Sequence, residues 1–170
     1  LRSYDEEKYK EKLISWFQEK PSIDSVIPLV KERIDIFTEI APLTSFFLDG
    51  MPSITMEDFE SMPQEREDIV KILQFSLWCL EGQTDWSKEI IHDSLISLAD
   101  NMNLKVREFL RPIFIAISGK PVSPPLFDSM TIIGPDICKA RIKHSIELLG
   151  GVSKKQTKKL EKIYRDIKVD

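Results

Sequence analysis

Residues 63–80 read PQEREDIVKILQFSLWCL and carry the pattern that decides the fold. Apolar side chains stand at Ile69, Ile72, Leu73 and Leu80, spaced as they are along one face of an α-helix. The stretch does not alternate polar and apolar residues, as a half-buried strand does. It therefore predicts a helix that is buried along one side, opened by Pro63.

The chain on either side of this stretch repeats the helical spacing, and no Asn-Gly or Asp-Gly hairpin signal separates β-branched runs. The sequence predicts an all-α fold: a helical bundle or cage of two packed subdomains, residues 1–62 and 63–170, with the seam in the stretch 51–63. The other predicted helices are one carrying Tyr9, Leu13, Trp16 and Phe17; one from Ser22 or Ser25 to about Ile40; one capped by Asp85; one over 105–117 that bends or restarts at Pro112; one opened by Pro135; and one over 153–168.

The composition is that of a folded chain without a membrane span. Of the 170 residues, 42% are hydrophobic and 31% are charged, and no apolar run approaches the ~20 residues of a spanning helix. Cys79 and Cys138 stand in no CxxC or Cys/His pattern, which favours a reducing compartment. We expect a cytoplasmic protein.

The formal net charge of −4 conceals two unequal halves. Residues 1–99 hold 10 basic and 20 acidic side chains, whereas residues 100–170 hold 14 basic and 8 acidic ones. A basic second half is typical of a chain with a polyanionic partner, but it also describes an unevenly solvated surface. The charge pattern alone leaves both interpretations open.

Residue types that carry chemistry are scarce and scattered. His92 and His144 form no HExxH motif and have no cysteine at metal spacing. Ser118-Gly119-Lys120 lacks the earlier glycine and the following Ser/Thr of a phosphate-binding loop. We therefore predict no catalytic, metal-binding or cofactor-binding residue in this chain.

Two places suggest binding instead. Arg33 falls between apolar residues on the predicted second helix, so its guanidinium needs either an internal partner or a ligand with planar acceptors, such as a base edge. Residues 116–127 read AISGKPVSPPLF and predict a rigid corner. There Gly119 takes the left-handed cap of one helix and Ser123 caps the next.

This corner and its flanks resemble the C-terminal anticodon-binding region of bacterial-type class I glutamyl-tRNA synthetases. The likeness extends without a gap over about forty residues, which makes it far more specific than any single dipeptide. Its positions are Leu104-Lys105, Pro112, Ala116, Ser118-Gly119, Ser123-Pro124, Leu126, Ile133-Gly134 and Arg141-Ile142.

The resemblance implies a helical cage, in two anticodon-binding subdomains, that holds a splayed tRNA anticodon loop. The parent enzyme would attach glutamate to its tRNA with ATP and Mg²⁺, through HIGH-like and KMSKS-like motifs that do not occur in this sequence. This chain would hold no cofactor and would be inactive alone. Its partner would be a glutamate-accepting tRNA, and the resemblance favours a monomer.

Single residues carry over from the family's pattern. Arg33 aligns with the arginine that distinguishes the third anticodon base. Ser123 and Leu126 align with positions that touch anticodon bases, as does Pro124, which stiffens the loop between them. Phe114 departs from the pattern, since many members have a base-contacting arginine there. Phe114 either stacks on a base or is buried, with Arg111 one turn earlier supplying the charge.

Three alternatives remain at this point. The chain is also compatible with a helical protein-interaction domain whose acidic first half is an adaptor surface. A class I lysyl-tRNA synthetase cage is a closer alternative, although the Ser-Gly and Ser-Pro corner fits it less well. Within the glutamyl family, an enzyme that charges glutamine tRNA would also keep this architecture, and an arginine at position 33 leans only modestly against it.

Overall fold

The computed structural model describes residues 5–11, 23–48, 50–120 and 124–167, and these contain helices and no strand. Residues 6–11 are helical, while Leu13, Trp16 and Phe17 of the predicted first helix lie outside the described residues. The all-α prediction is confirmed. The further helices are α1 (Ile23–Val30), α2 (Ile40–Leu48), α3 (Met56–Glu60), α4 (Arg66–Glu81), α5 (Lys88–Asn101), α6 (Val106–Ser118), α7 (Leu126–Ile133), α8 (Pro135–Leu148) and α9 (Lys154–Ile167).

Helix α4 is the centre of the bundle and packs against α5, α6 and α8. Its predicted apolar face is buried, with Ile72 1% and Leu73 0% exposed, while Glu67 and Asp68 in the first turn face the positive end of the helix dipole. The core continues from α4 through the buried faces of α5 to α8 and reaches Val26 of α1 and Phe46 of α2. Among the described residues, no helix combines the length and the apolar character needed to cross a lipid bilayer.

Helix α4 begins at Arg66 and not at Pro63, because Gln64 is bound to another helix. The side-chain amide of Gln64 donates to the carbonyl oxygen of Glu108 on α6, at 3.1 Å. The predicted seam, residues 51–63, contains α3 and ends in this turn between α3 and α4, and the division into two subdomains stays a prediction.

The same contact explains why α6 is continuous through Pro112, so that of the predicted bend or restart the restart does not occur. Proline has no N–H, so the carbonyl four residues earlier, that of Glu108, loses its helical donor. Gln64 supplies that donor from outside the helix.

We expect Gln64→Ala to lower the free energy of unfolding by about 1–2 kcal/mol, because it leaves a half-buried carbonyl without a donor. Urea unfolding followed by circular dichroism measures the change. In a Pro112→Ala background, residue 112 regains an N–H for that carbonyl, so the effect of Gln64→Ala should shrink. An undiminished effect in that background would assign Gln64 another role.

Helix α5 also begins later than predicted. Its N-cap is Ser87, whose Oγ accepts from the backbone N–H of Ile90 at 3.4 Å, and not Asp85. The reason is Trp86, whose indole Nε1 donates to the carbonyl of Met130 at 2.9 Å and holds residue 86 on α7.

Candidate nucleic-acid interface

The segment that carries Arg33 is a pair of short turns and not the continuous helix that the sequence predicts. Helix α1 ends at Val30, a 3₁₀ turn covers Lys31–Arg33, and a second covers Phe37–Glu39. Between them Ile34 and Ile36 are extended, with φ of −126° and −132°. The prediction of a helix from Ser22 or Ser25 to about Ile40 is therefore wrong.

Local hydrogen bonding explains the break. The Glu39 carboxylate accepts from the backbone N–H groups of Asp35 at 2.9 Å and Ile36 at 3.4 Å, so these donors are taken from a helical ladder. The β-branched Ile34 and Ile36 also favour extended backbone. As a result Arg33 is exposed at the end of a turn and does not lie within a buried apolar stripe.

An open groove of about 590 Å³ runs along this turn, and we call it the turn groove. Its wall is mostly apolar, and part of that wall is unusually open: Phe37 is 89% and Ile36 60% exposed. Arg33 is not itself a lining residue, but it stands in the chain between the lining residues Lys31 and Ile34. The groove is lined by Ile27, Val30, Lys31, Ile34, Asp35, Ile36, Phe37 and Ile40.

A second groove of about 480 Å³ lies on helix α6. It is lined by Arg107, Leu110, Arg111, Phe114 and Ile115, which recur at helical spacing and share one face. Arg107 and Arg111 are exposed and Phe114 is half-buried. The α6 groove therefore combines two cations with part of an aromatic ring.

Arg111 is held in place by the chain that follows α3. Its guanidinium donates to the backbone carbonyl of Ser61 at 3.2 Å and lies 3.4 Å from the Ser61 hydroxyl. Phe114 packs against the hydrophobic core with the remainder of its ring towards the groove. The structure thus places Arg111 and Phe114 together, but it places Arg33 on a different element.

The corner after α6 is built around Gly119, which has φ of +69° and whose N–H donates to the carbonyl of Ile115 at 2.8 Å. The predicted left-handed cap is confirmed. The Ser118 hydroxyl donates to the carbonyl of Phe114 at 2.9 Å, and the Lys120 ammonium donates to the carbonyl of Pro42 on α2. The corner is fixed to both halves of the chain.

The remaining site predictions fall on the start of α7. Ser123 lies outside the described residues. Pro124 is buried, and Leu126 is 6% exposed and belongs to the core. The N-cap of α7 is Pro125 and not Ser123, because a proline disfavours helical backbone at the residue before it, so Pro124 cannot open the helix. Contact of Ser123, Pro124 and Leu126 with RNA stays a prediction.

Sequence reasoning missed the role of Arg141, whose guanidinium is fully buried. It donates to three backbone carbonyls: Phe46 at 2.6 Å, Gly50 at 3.1 Å and Ile117 at 2.5 Å. It thereby ties α2, the loop after it and the end of α6 together. The signal was present, because Arg141 stands between Cys138 and Ile142 on the buried face of α8.

Two ionisable groups that pack in the core, the Cys138 thiol and the Tyr164 hydroxyl, have raised pKa values. Burial raises the pKa of the Cys138 thiol to about 12, and burial also raises the pKa of the Tyr164 hydroxyl. His92 is exposed, with Nδ1 2.8 Å from the Asp93 carboxylate. Over the described ranges, no three His, Cys, Asp or Glu side chains form a group able to hold a metal ion.

The chain is similar to known proteins over most of its length. A family model described as an anticodon-binding domain matches residues 8–146. The glutamate–tRNA ligase of Alcanivorax borkumensis is 41% identical over 99% of this chain and 34% of its own length. That of a Marinomonas species is 40% identical over 95% of this chain and 33% of its own length. The chain thus spans about a third of the curated relatives that it matches.

A solved structure shares the fold. The crystal structure of a glutamate–tRNA ligase from Elizabethkingia meningosepticum, in complex with its amino acid, superposes with a TM-score of 0.67. The match covers 82% of this chain and 28% of that one, at 22% sequence identity. At that identity the likeness establishes the architecture alone.

Proposed function

Because this chain belongs to the family of anticodon-binding domains, we propose that it binds the anticodon loop of a glutamate-accepting tRNA. It does so as the RNA-reading part of a glutamate–tRNA ligase. The residues that perform the ligation, and hold the ATP and Mg²⁺ that it needs, lie outside this sequence.

The observation that carries the proposal is the exposed Arg33 beside the turn groove. Single-stranded RNA is read through hydrogen bonds to base edges and through stacking on aromatic rings. Arg33 offers the planar donors and Phe37 an open ring four residues later. The carboxylates of Asp35 and Glu39 beside them disfavour a phosphate at this place, so a base is the better occupant.

The α6 groove supports the same function in a different way. Arg107 and Arg111 stand one helical turn apart and attract phosphate, while the half-buried Phe114 ring offers an apolar surface to a base. We assign the third anticodon base to Arg33 in residues 1–62, and the other bases to the face of α6 and the corner in residues 63–170.

Fluorescence anisotropy with anticodon stem–loops tests the proposal. The wild-type chain should bind a stem–loop of glutamate tRNA more tightly than the same loop with its third base substituted, and binding should weaken as salt rises. Stem–loops of glutamine and lysine tRNA measure how far the preference extends. Equal binding to all loops, or salt-independent binding, would contradict the proposal.

We expect Arg33→Ala to cost about 1–3 kcal/mol in binding the natural loop and much less in binding the substituted one. The loss would therefore appear as lost discrimination. Lys31→Ala is the matched control, since Lys31 is exposed on the same 3₁₀ turn. It should weaken both loops equally through lost charge. If Arg33→Ala behaves like Lys31→Ala, Arg33 does not read the base.

A further inference from the structure

Helix α9 is the most amphipathic of the described helices, with basic residues on one face and apolar residues on the other. It opens with reciprocal capping: the backbone N–H of Ser153 donates to the Gln156 side chain at 2.9 Å, and the Ser153 hydroxyl accepts from the N–H of Gln156 at 3.3 Å. At ~100° per residue, its six basic side chains fall within an arc of about 140°. They are Lys154, Lys155, Lys158, Lys159, Lys162 and Arg165.

The opposite face of α9 is already used. Tyr164 packs against the rings of Phe75 and Trp78 on α4, with centroids 5.2 and 5.4 Å apart. Leu160 and Ile163 pack against the same core. This contact fixes the helix on the bundle and turns its basic face outward.

The five lysines of the basic face have no anionic partner within the described part of the chain. The single ion pair on α9 there joins Arg165 to Glu161, at 3.9 Å. All five lysines are exposed, and Asp166 lies within the same arc, between Lys162 and Lys159. Lysines four residues apart, such as Lys154 and Lys158, repel one another and weaken a helix. The arrangement therefore costs helix stability, which an external polyanion would offset.

We propose that this face, which we call the lysine stripe, binds the phosphate backbone of the tRNA. This inference rests on the proposed function for the identity of the RNA. The stripe spans eleven residue steps, about 16 Å, and places cations one turn, about 5.4 Å, apart. Lysine ammonium groups act on phosphates as point charges and carry no sequence information. The stripe adds affinity, whereas Arg33 adds discrimination.

A membrane surface fits the stripe less well. Amphipathic helices bind bilayers by inserting their apolar face, and the apolar face of α9 is packed on α4. A cavity of about 520 Å³ borders the stripe at Lys159, but it includes the Glu67 and Asp68 carboxylates as well as Arg66 and Lys71. That mixed charge suits a phosphate less than the open stripe does.

The test compares two triple variants of the whole chain. Lys154, Lys158 and Lys162 are changed together to glutamine in the stripe variant. The control variant changes Lys88, Lys105 and Lys139 to glutamine, which removes the same charge from lysines that lie beside Asp128, Glu108 and Asp136. Binding of a glutamate tRNA transcript is measured between about 50 and 200 mM salt.

We expect the stripe variant to bind more weakly, with a plot of log affinity against log salt that is shallower by about 2. The loss of tRNA affinity relative to wild type should then be smaller at about 200 mM salt than at about 50 mM, by a factor on the order of 20. The control variant should keep the wild-type slope. Since the substitutions relieve repulsion on an exposed face, the stripe variant should unfold at the same urea concentration or a higher one.

Two results would overturn the proposal that the lysine stripe binds the tRNA backbone. Equal slopes for the two variants would mean that only net charge matters. Unchanged tRNA affinity with lost binding to phosphatidylserine vesicles would assign the stripe to a membrane surface. The proposed anticodon function is judged separately, by the preference of wild type for the natural loop. Loss of that preference with an intact stripe effect would refute base reading and leave the phosphate contact standing.

Discussion

Replacing Arg141 with alanine is expected to lower the free energy of unfolding by about 4 kcal/mol or more, the largest effect of any substitution considered for this chain. The guanidinium is fully buried and donates to the carbonyls of Phe46, Gly50 and Ile117. Alanine leaves all three acceptors without this donor and opens a void in the core. Each buried acceptor left unsatisfied costs about 1–3 kcal/mol.

Urea unfolding followed by circular dichroism measures the loss, with Lys143→Ala as the control. Lys143 is exposed on the same helix, so its replacement should change stability by less than about 0.5 kcal/mol. Arg141→Lys should fall between the two, because one ammonium group cannot reproduce the planar fork. A loss below about 1 kcal/mol in Arg141→Ala would show that these carbonyls find other donors.

The sequence predicts the helices well where one amphipathic pattern continues for several turns. Helices α4, α8 and α9 are such cases, since Ile72, Ile142 and Leu160 all pack into the core as the periodicity requires. Their first residues are less predictable, because distant contacts decide them. Gln64 binds α6 and Trp86 binds α7, and in each case the following helix starts later than its sequence suggests.

The wrong prediction of a continuous helix through Arg33 has a different cause. Between Val30 and Ile40 the apolar residues follow helical spacing, but the Glu39 carboxylate captures the N–H groups of Asp35 and Ile36. These local side-chain hydrogen bonds break the helix that the apolar periodicity predicts. The pattern placed Arg33 among apolar residues of a helix, whereas the structure shows it exposed on a short turn.

The candidate site was only partly predictable. The resemblance identifies the positions at the corner, but tertiary packing decides which side chains face outward. Arg111 and Phe114 line a groove, whereas Pro124 and Leu126 are buried. Arg107 and Phe37 were not predicted, because an exposed arginine and an exposed phenylalanine have no distinctive sequence spacing.

The second large effect is expected at Gly119, where alanine should cost about 2–4 kcal/mol. A Cβ atom built there would lie 2.9 Å from Cβ of Pro52 and 3.4 Å from Cγ2 of Ile54. Pro52 is buried and its ring cannot rotate away, so the loop between α2 and α3 must shift. The left-handed backbone, with φ of +69°, adds strain for any residue other than glycine.

Gly151→Ala separates the steric contribution at Gly119 from the strain of the left-handed backbone. Gly151 also has φ of +69°, but nothing lies within 4 Å of the Cβ built on it. Its replacement should cost only the backbone term, about 1–2 kcal/mol. The difference between the two variants in urea unfolding therefore measures the packing of the corner on Pro52. Equal losses would mean that the loop yields freely. A larger loss at Gly119 would show that the corner is rigid, because the loop that carries Pro52 and Ile54 could not shift to make room for the added Cβ atom. Rigidity of that kind is what a site needs in order to hold an unstacked base in one orientation.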